Sequence, residues 1–230
     1  MAVLQACVNR YIKALSIPKR LIAIHPGNPG NPGNASAIAP TVVLTSISAF
    51  EGFVEDITAA AMVAQGISYN VIARVVGNWT NPDIKKWGDE LNRHFAVDLA
   101  QGFSVRTTRG VTPSNWSATT VNYQVAIDLG SAWMNVRHAL THGEVSGSGA
   151  ELWPTVVRTG QPPSDVLRVK TGDATKHHLQ LPGARGCAAL YTYAARRGAD
   201  LLITSLAEPA LTWSGLPMFD PAPGAPQVAA

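Results

Sequence analysis

Val43, Ile47, Phe50, Val54, Ile57 and Ala61 recur at spacings of 4, 3, 4, 3 and 4. That period fits one face of an α-helix, so the chain must bury one side of a long helix over residues 41–65. Ser48, Glu51, Glu55 and Thr58 form a polar stripe on it, and Gly66 offers a stop. A shorter helix is expected from Ser68 to Val76. Asn81-Pro82-Asp83 reads as the next helix start, with Asn81 as N-cap, Pro82 at the first helical position and Asp83 complementing the dipole. Ile84, Trp87, Leu91 and Phe95 give that helix its buried face, and residues 101–114 read as irregular.

A further helix ends at Gly143 and starts between Ser114 and Val121. Its core stripe is Val125, Leu129, Trp133, Val136 and Leu140. Opposite runs a polar stripe of Asp128, Ser131, Asn135, His138 and His142, with Arg137 on the flank between the two. Beyond it, residues 152–158 and 165–170 flank a Gly-Gln-Pro-Pro-Ser turn and suggest a β-hairpin. A last helix over 183–206 carries Cys187, Leu190, Ala194 and Leu201.

At the N-terminus, Leu4, Val8, Tyr11 and Leu15 mark a helix over 1–24 that Pro18 kinks or ends near its C-terminal part. Three Pro-Gly-Asn triplets at 26–34 forbid helix and read as a linker. The expected organisation is an N-terminal helix (1–25), a linker (26–40), a helical domain (41–206) and a flexible Pro-rich tail (207–230). That makes the fold mainly all-α, a bundle of about four to five helices with a small β-hairpin-like insertion near 152–170.

Hydrophobic residues make up 46% of the chain, which excludes general disorder. Charged residues reach only 14%, against roughly 25% in ordinary soluble domains, so part of the surface is expected to be covered by another chain. A net charge of +3 is compatible with a nucleic-acid partner. Two cysteines exclude a disulfide scaffold and a Cys-rich zinc site. No uninterrupted apolar run reaches the roughly 18 residues of a membrane span, and no clear signal-peptide core is present. The expected setting is cytoplasmic, without a membrane partner.

The polar stripe ends in Arg137-His138, three residues, then His142-Gly143. This pattern resembles the active-site signature of HEPN domains (higher eukaryotes and prokaryotes nucleotide-binding). There an Arg, a polar residue directly after it and a His five positions on close a helix. Residues 49–57 and the Asn81-Pro-Asp-Ile-Lys-Lys stretch also resemble the subgroup linked to RiboL-PSP proteins. The likeness spans roughly residues 41–143. It implies a helical bundle, a homodimer with a composite site, metal-independent endoribonuclease activity without a cofactor, and a toxin or anti-phage defence role restrained by an antitoxin or defence-system partner protein. Some family members carry a Tyr two positions after the His; Glu144 stands there, so regulation through that Tyr is not implied.

The chemistry suits the residues. Cleavage by the RNA's own 2′-hydroxyl needs a proton acceptor and a stabilised phosphorane. Histidine titrates near working pH, and arginine's fork binds phosphate oxygens in pairs. His142 is the candidate general acid/base, Arg137 the phosphorane ligand and His138 its assistant. Asn135, Glu51, Glu55 and Thr141 are the supporting or substrate-binding candidates. Glu51 and Glu55 are either a solvated face or the groups that orient the Arg137 helix.

Other readings stand beside these. His142 near a helix end also suits simple capping of the last carbonyls. His138 and His142 at i, i+4 suit zinc, but the Glu of His-Glu-x-x-His is absent and no third ligand is evident, so no metal is expected. His177-His178 reads as a solvated pair in an irregular stretch. Trp79, Trp87, Trp116 and Trp133 read as core or interface aromatics. Arg20 and His25 match the Arg-x4-His spacing by coincidence, because a Pro-Gly linker follows at once. Against the nuclease stands a catalytically silent HEPN-like module that binds RNA, nucleotide or protein.

Overall fold

One helix organises the rest. Helix α3 (Ile38–Ala64) packs against α1 (Ala2–Ala14), α2 (Ser16–Ile24), α4 (Tyr69–Gly77), α6 (Tyr123–Thr141) and α7 (Leu181–Ser205). The computed structural model describes residues 2–25, 37–111, 116–141, 169–170, 173–177 and 179–221. The fold is mainly helical, with seven helices and two small antiparallel strand pairs among the described residues.

All six residues of the expected α3 stripe are fully buried. So are Val42 and Thr58 on neighbouring faces, because other helices surround α3. Thr58 is therefore not part of a solvated stripe; its hydroxyl accepts from Trp87 Nε1 at 3.2 Å. An aromatic layer closes around this helix: Phe53 stacks on Tyr11 at 4.4 Å, and Phe50 meets Trp87 and Tyr191 edge-on. By length and composition α3 would suffice to cross a membrane, yet half of its most apolar window is buried among the other helices.

The N-terminal segment is two helices with a kink at Leu15, three residues before Pro18. Proline at 18 cannot donate to the Ala14 carbonyl and its ring crowds that oxygen, so the break falls one turn upstream of the proline. Hydrogen bonds Leu15 N to Tyr11 O and Lys19 N to Leu15 O carry the chain through. Leu4, Cys7, Val8, Tyr11 and Leu15 belong to the same core as α3 and α7. The Pro-Gly-Asn triplets lie outside the described residues, and α3 begins at Ile38, inside the expected linker.

Helix α5 (Ile84–Phe95) starts two residues later than the Asn81 reading predicts. Asp83 is the N-cap and accepts from Lys86 N at 2.7 Å, which leaves Pro82 outside the helix and Asn81 uncommitted to it. Ile84, Trp87, Leu91 and Phe95 are buried as the spacing requires. The stretch 101–114, expected to be irregular, contains β1 (Val105–Thr108). This strand pairs antiparallel with β2 (Ala118–Val121), Val105 opposite Val121 and Thr108 opposite Ala118. The α6 helix consequently starts at Tyr123, after the strand.

The first arm of the expected hairpin, 152–158, lies outside the described residues. From the second arm, β3 (Val169–Lys170) pairs with β4 (Asp173–His177), which places His177 on a strand instead of in an irregular stretch; His178 is outside the described residues. The described part of the tail departs from expectation, and residues 222–230 lie outside the described residues. Residues 207–221 lack regular structure but are packed down: Gln5 and Thr212 exchange two hydrogen bonds, and Trp213 Nε1 donates to Asp200 at 2.8 Å. Phe219 is buried. Apolar anchors at Trp213, Leu216 and Phe219 outweigh what the prolines deny in backbone hydrogen bonding.

Candidate functional site

Successive residues of α6 turn by about 100°, and burial shows which face looks inward. Ala126, Gly130, Trp133, Met134 and Val136 are buried, whereas Val125 is 41% exposed. Arg137 lies within about 20° of Ala126 and 40° of Trp133 on the same projection. It is therefore on the inward stripe, not on a flank. Gly130 lets this face approach α5 and α7: a Cβ there would meet Ile84 Cδ1 at 3.3 Å, and Tyr191 donates its hydroxyl to the Gly130 carbonyl at 2.9 Å.

Pointed inward, the Arg137 guanidinium meets two partners from distant parts of the chain. Nη2 lies 3.0 Å from Glu51 Oε2 on α3. Nη1 donates to Asn81 Oδ1, also at 3.0 Å, from the turn before α5. The side chains of Arg137 and Glu51 are only 18% and 12% exposed. Glu51 Oε1 and Arg137 Nε are buried with no hydrogen-bond partner. Burial pushes the Glu51 carboxyl above its usual range, Arg137 opposes that, and neighbouring Glu55 adds to it. Glu55 is raised by its own burial and by Asp56.

Not all candidates converge. Asn135 sits about 160° round the helix from Arg137 and is exposed. His138 is half-buried, about 100° round the helix from Arg137 and 60° from Asn135. Thr141 donates its hydroxyl back to the carbonyls of Arg137 and His138, a local bond that occupies its donor. Glu55 makes no hydrogen bond to Arg137, although it lies one turn beyond Glu51. His142 lies outside the described residues, as does Gly143. Among the described residues, no group of three His, Cys, Asp or Glu side chains could hold a metal ion.

Asn81 is the site residue that sequence reading assigns elsewhere, to a helix cap. The signal is in Asn-Pro-Asp itself: two capping residues compete for one helix start, and the loser is free for other work. Asn81 takes a left-handed backbone, φ 49°, which asparagine tolerates better than most residues.

No protein-family model matches this chain, and neither a curated protein nor a solved structure matches it. The HEPN resemblance therefore rests on the chain's own residues.

Proposed function

We propose that this chain is a metal-independent endoribonuclease of the HEPN type, acting at a composite site formed by two copies. The observation that carries the reading is Arg137 itself. It is held rigidly by Glu51 and Asn81 at the inner face of α6, with two of its five N–H groups engaged and one N–H left on each terminal nitrogen. A fork fixed in this way is suited to a phosphate that gains charge in the transition state.

In this mechanism the RNA 2′-hydroxyl loses its proton to a histidine and attacks the adjacent phosphorus. Arg137 stabilises the phosphorane, the bond to the 5′-oxygen breaks, and that oxygen takes up a proton. His142 serves as general acid/base and His138 assists. The products are a 2′,3′-cyclic phosphate and a 5′-hydroxyl. One α6 helix offers one Arg and at most two His residues, and a two-fold dimer would pool two such sets.

The grip of Glu51 on Arg137 favours one rival, a silent module whose arginine is structural and whose ligand is only bound. RNA binding and cleavage measured together on wild type, Arg137→Ala and His142→Ala separate the two. An enzyme keeps most binding in His142→Ala but loses roughly 10²-fold or more in rate, while Arg137→Ala lowers both. A binding module cleaves in no variant.

A further inference from the structure

Arginine has no hydrogen-bond acceptor, so the Asn81 atom 3.0 Å from Arg137 Nη1 must be the amide oxygen. That fixes the rotation of the amide and turns Nδ2, with its two donors, away from the guanidinium. Nδ2 has no hydrogen-bond partner among the described residues, and the side chain is exposed. The Asn81 backbone is left-handed, φ 49°, and the bond to Arg137 is what orients the amide. Arg137 retains N–H groups on the same terminal nitrogens. One neutral donor therefore stands beside the cation, at the only partner of the Arg137 guanidinium among the described residues that is not itself an anion.

We propose that Asn81 is a phosphate ligand of this site, its Nδ2 donating to the RNA phosphodiester that Arg137 binds; the inference rests on the nuclease reading for its substrate. Glu51 and Asn81 then divide the work. The carboxylate orients the guanidinium from the buried side. The amide orients it from the exposed side and adds a donor where a second carboxylate would repel the substrate.

The test uses the full chain at fixed ionic strength, with a 2′-O-methyl oligoribonucleotide that lacks the attacking hydroxyl, and unmodified RNA for cleavage. Asn81→Asp keeps an oxygen for Arg137 but removes the donor and adds charge; Asn81→Gly removes the side chain at a backbone angle that glycine adopts freely. A phosphate contact predicts about a ten-fold or greater loss of oligonucleotide affinity in Asn81→Asp, exceeding the loss in Asn81→Gly. It also predicts that the Asn81 side-chain amide NMR signals, assigned by their absence in Asn81→Gly, shift when the oligonucleotide is added. Asn81→Gly with wild-type affinity, or unmoved amide signals, overturns the proposal, because the Asn81→Asp carboxylate repels a phosphate on Arg137 whether or not the amide touches it. Wild type that cleaves RNA with unmoved Asn81 signals removes the contact and leaves the nuclease. Wild type that shifts those signals but leaves RNA intact removes the nuclease and leaves the contact. Absence of any binding removes both.

Discussion

The guanidinium of Arg137 and the carboxylate of Glu51 lie 3.0 Å apart across 86 residues of sequence. They join α6, which carries Arg137, to the central helix of the fold. A charge pair this enclosed has lost most of its hydration, so it persists because each member is costly to leave alone.

Removing one member should hurt more than neutralising it. Breaking a fully buried pair costs about 3–5 kcal/mol; the residual exposure here brings the expectation for Glu51→Ala to about 1–3 kcal/mol. Glu51→Gln keeps an acceptor for Arg137 and sheds the desolvated charge, so its loss should stay below about 1 kcal/mol. Urea unfolding of both variants beside wild type checks the order.

The same carboxyl sets a pH dependence. Its pKa is raised above 4.5 in the folded chain, chiefly by burial, so between 4.5 and that raised value the native state binds more protons than the unfolded one. The Glu51 contribution to stability is then largest in acid and declines as pH rises through the window. Wild type should lose stability relative to Glu51→Gln as the pH rises through the range just above the ordinary carboxyl pKa. A difference that is flat, or of opposite sign, contradicts the desolvation account.

Two glycine-to-alanine changes should act in opposite directions. A Cβ on Gly198 would lie 2.4 and 2.5 Å from ring carbons of Trp87, a side chain locked by its bond to Thr58 and its edge contact with Phe50. Overpacking of about 1–3 kcal/mol should exceed any gain in helix propensity. Gly52 is exposed on α3, and a Cβ added there would have nothing within 4 Å. Gly52→Ala should therefore stabilise by about 0.5–1 kcal/mol. Thermal midpoints of the two variants decide this.

The strap over residues 207–221 should resist protease in the native chain. Phe219→Ala removes its buried anchor, at about 2–4 kcal/mol where the ring is well packed, and should open the strap to cleavage before the helices unfold. Equal protection in wild type and variant would show that Phe219 does not hold it.

Period and side-chain size are what the sequence makes legible. The α3 stripe emerges intact because large β-branched and aromatic residues hold most of its inward positions. On α6 the same reasoning picks Val125 over Ala126 and Gly130, since small residues carry no hydrophobic signal, although a Cβ on Gly130 would crowd Ile84. Weighting the large residues rotates the expected inward face and leaves Arg137 on a flank. The β1–β2 pair is hidden because its strands are four residues each and rich in threonine, too short for alternation to register. Asn81 is masked by a legitimate competing role, and only the Asp83 cap releases it.

The proposed composite site requires a dimer. Light scattering at micromolar concentration should give about twice 24.3 kDa, and a monomer over a wide concentration range removes the pooled-histidine mechanism.

Incubating RNA with the protein in excess chelator and identifying the new ends tests the central claim most directly. Cleavage is expected to leave 2′,3′-cyclic phosphate and 5′-hydroxyl ends, slowed by roughly 10²-fold or more in His142→Ala and lowered in Arg137→Ala. Cleavage that needs an added divalent metal, or proceeds unchanged in His142→Ala, would contradict it.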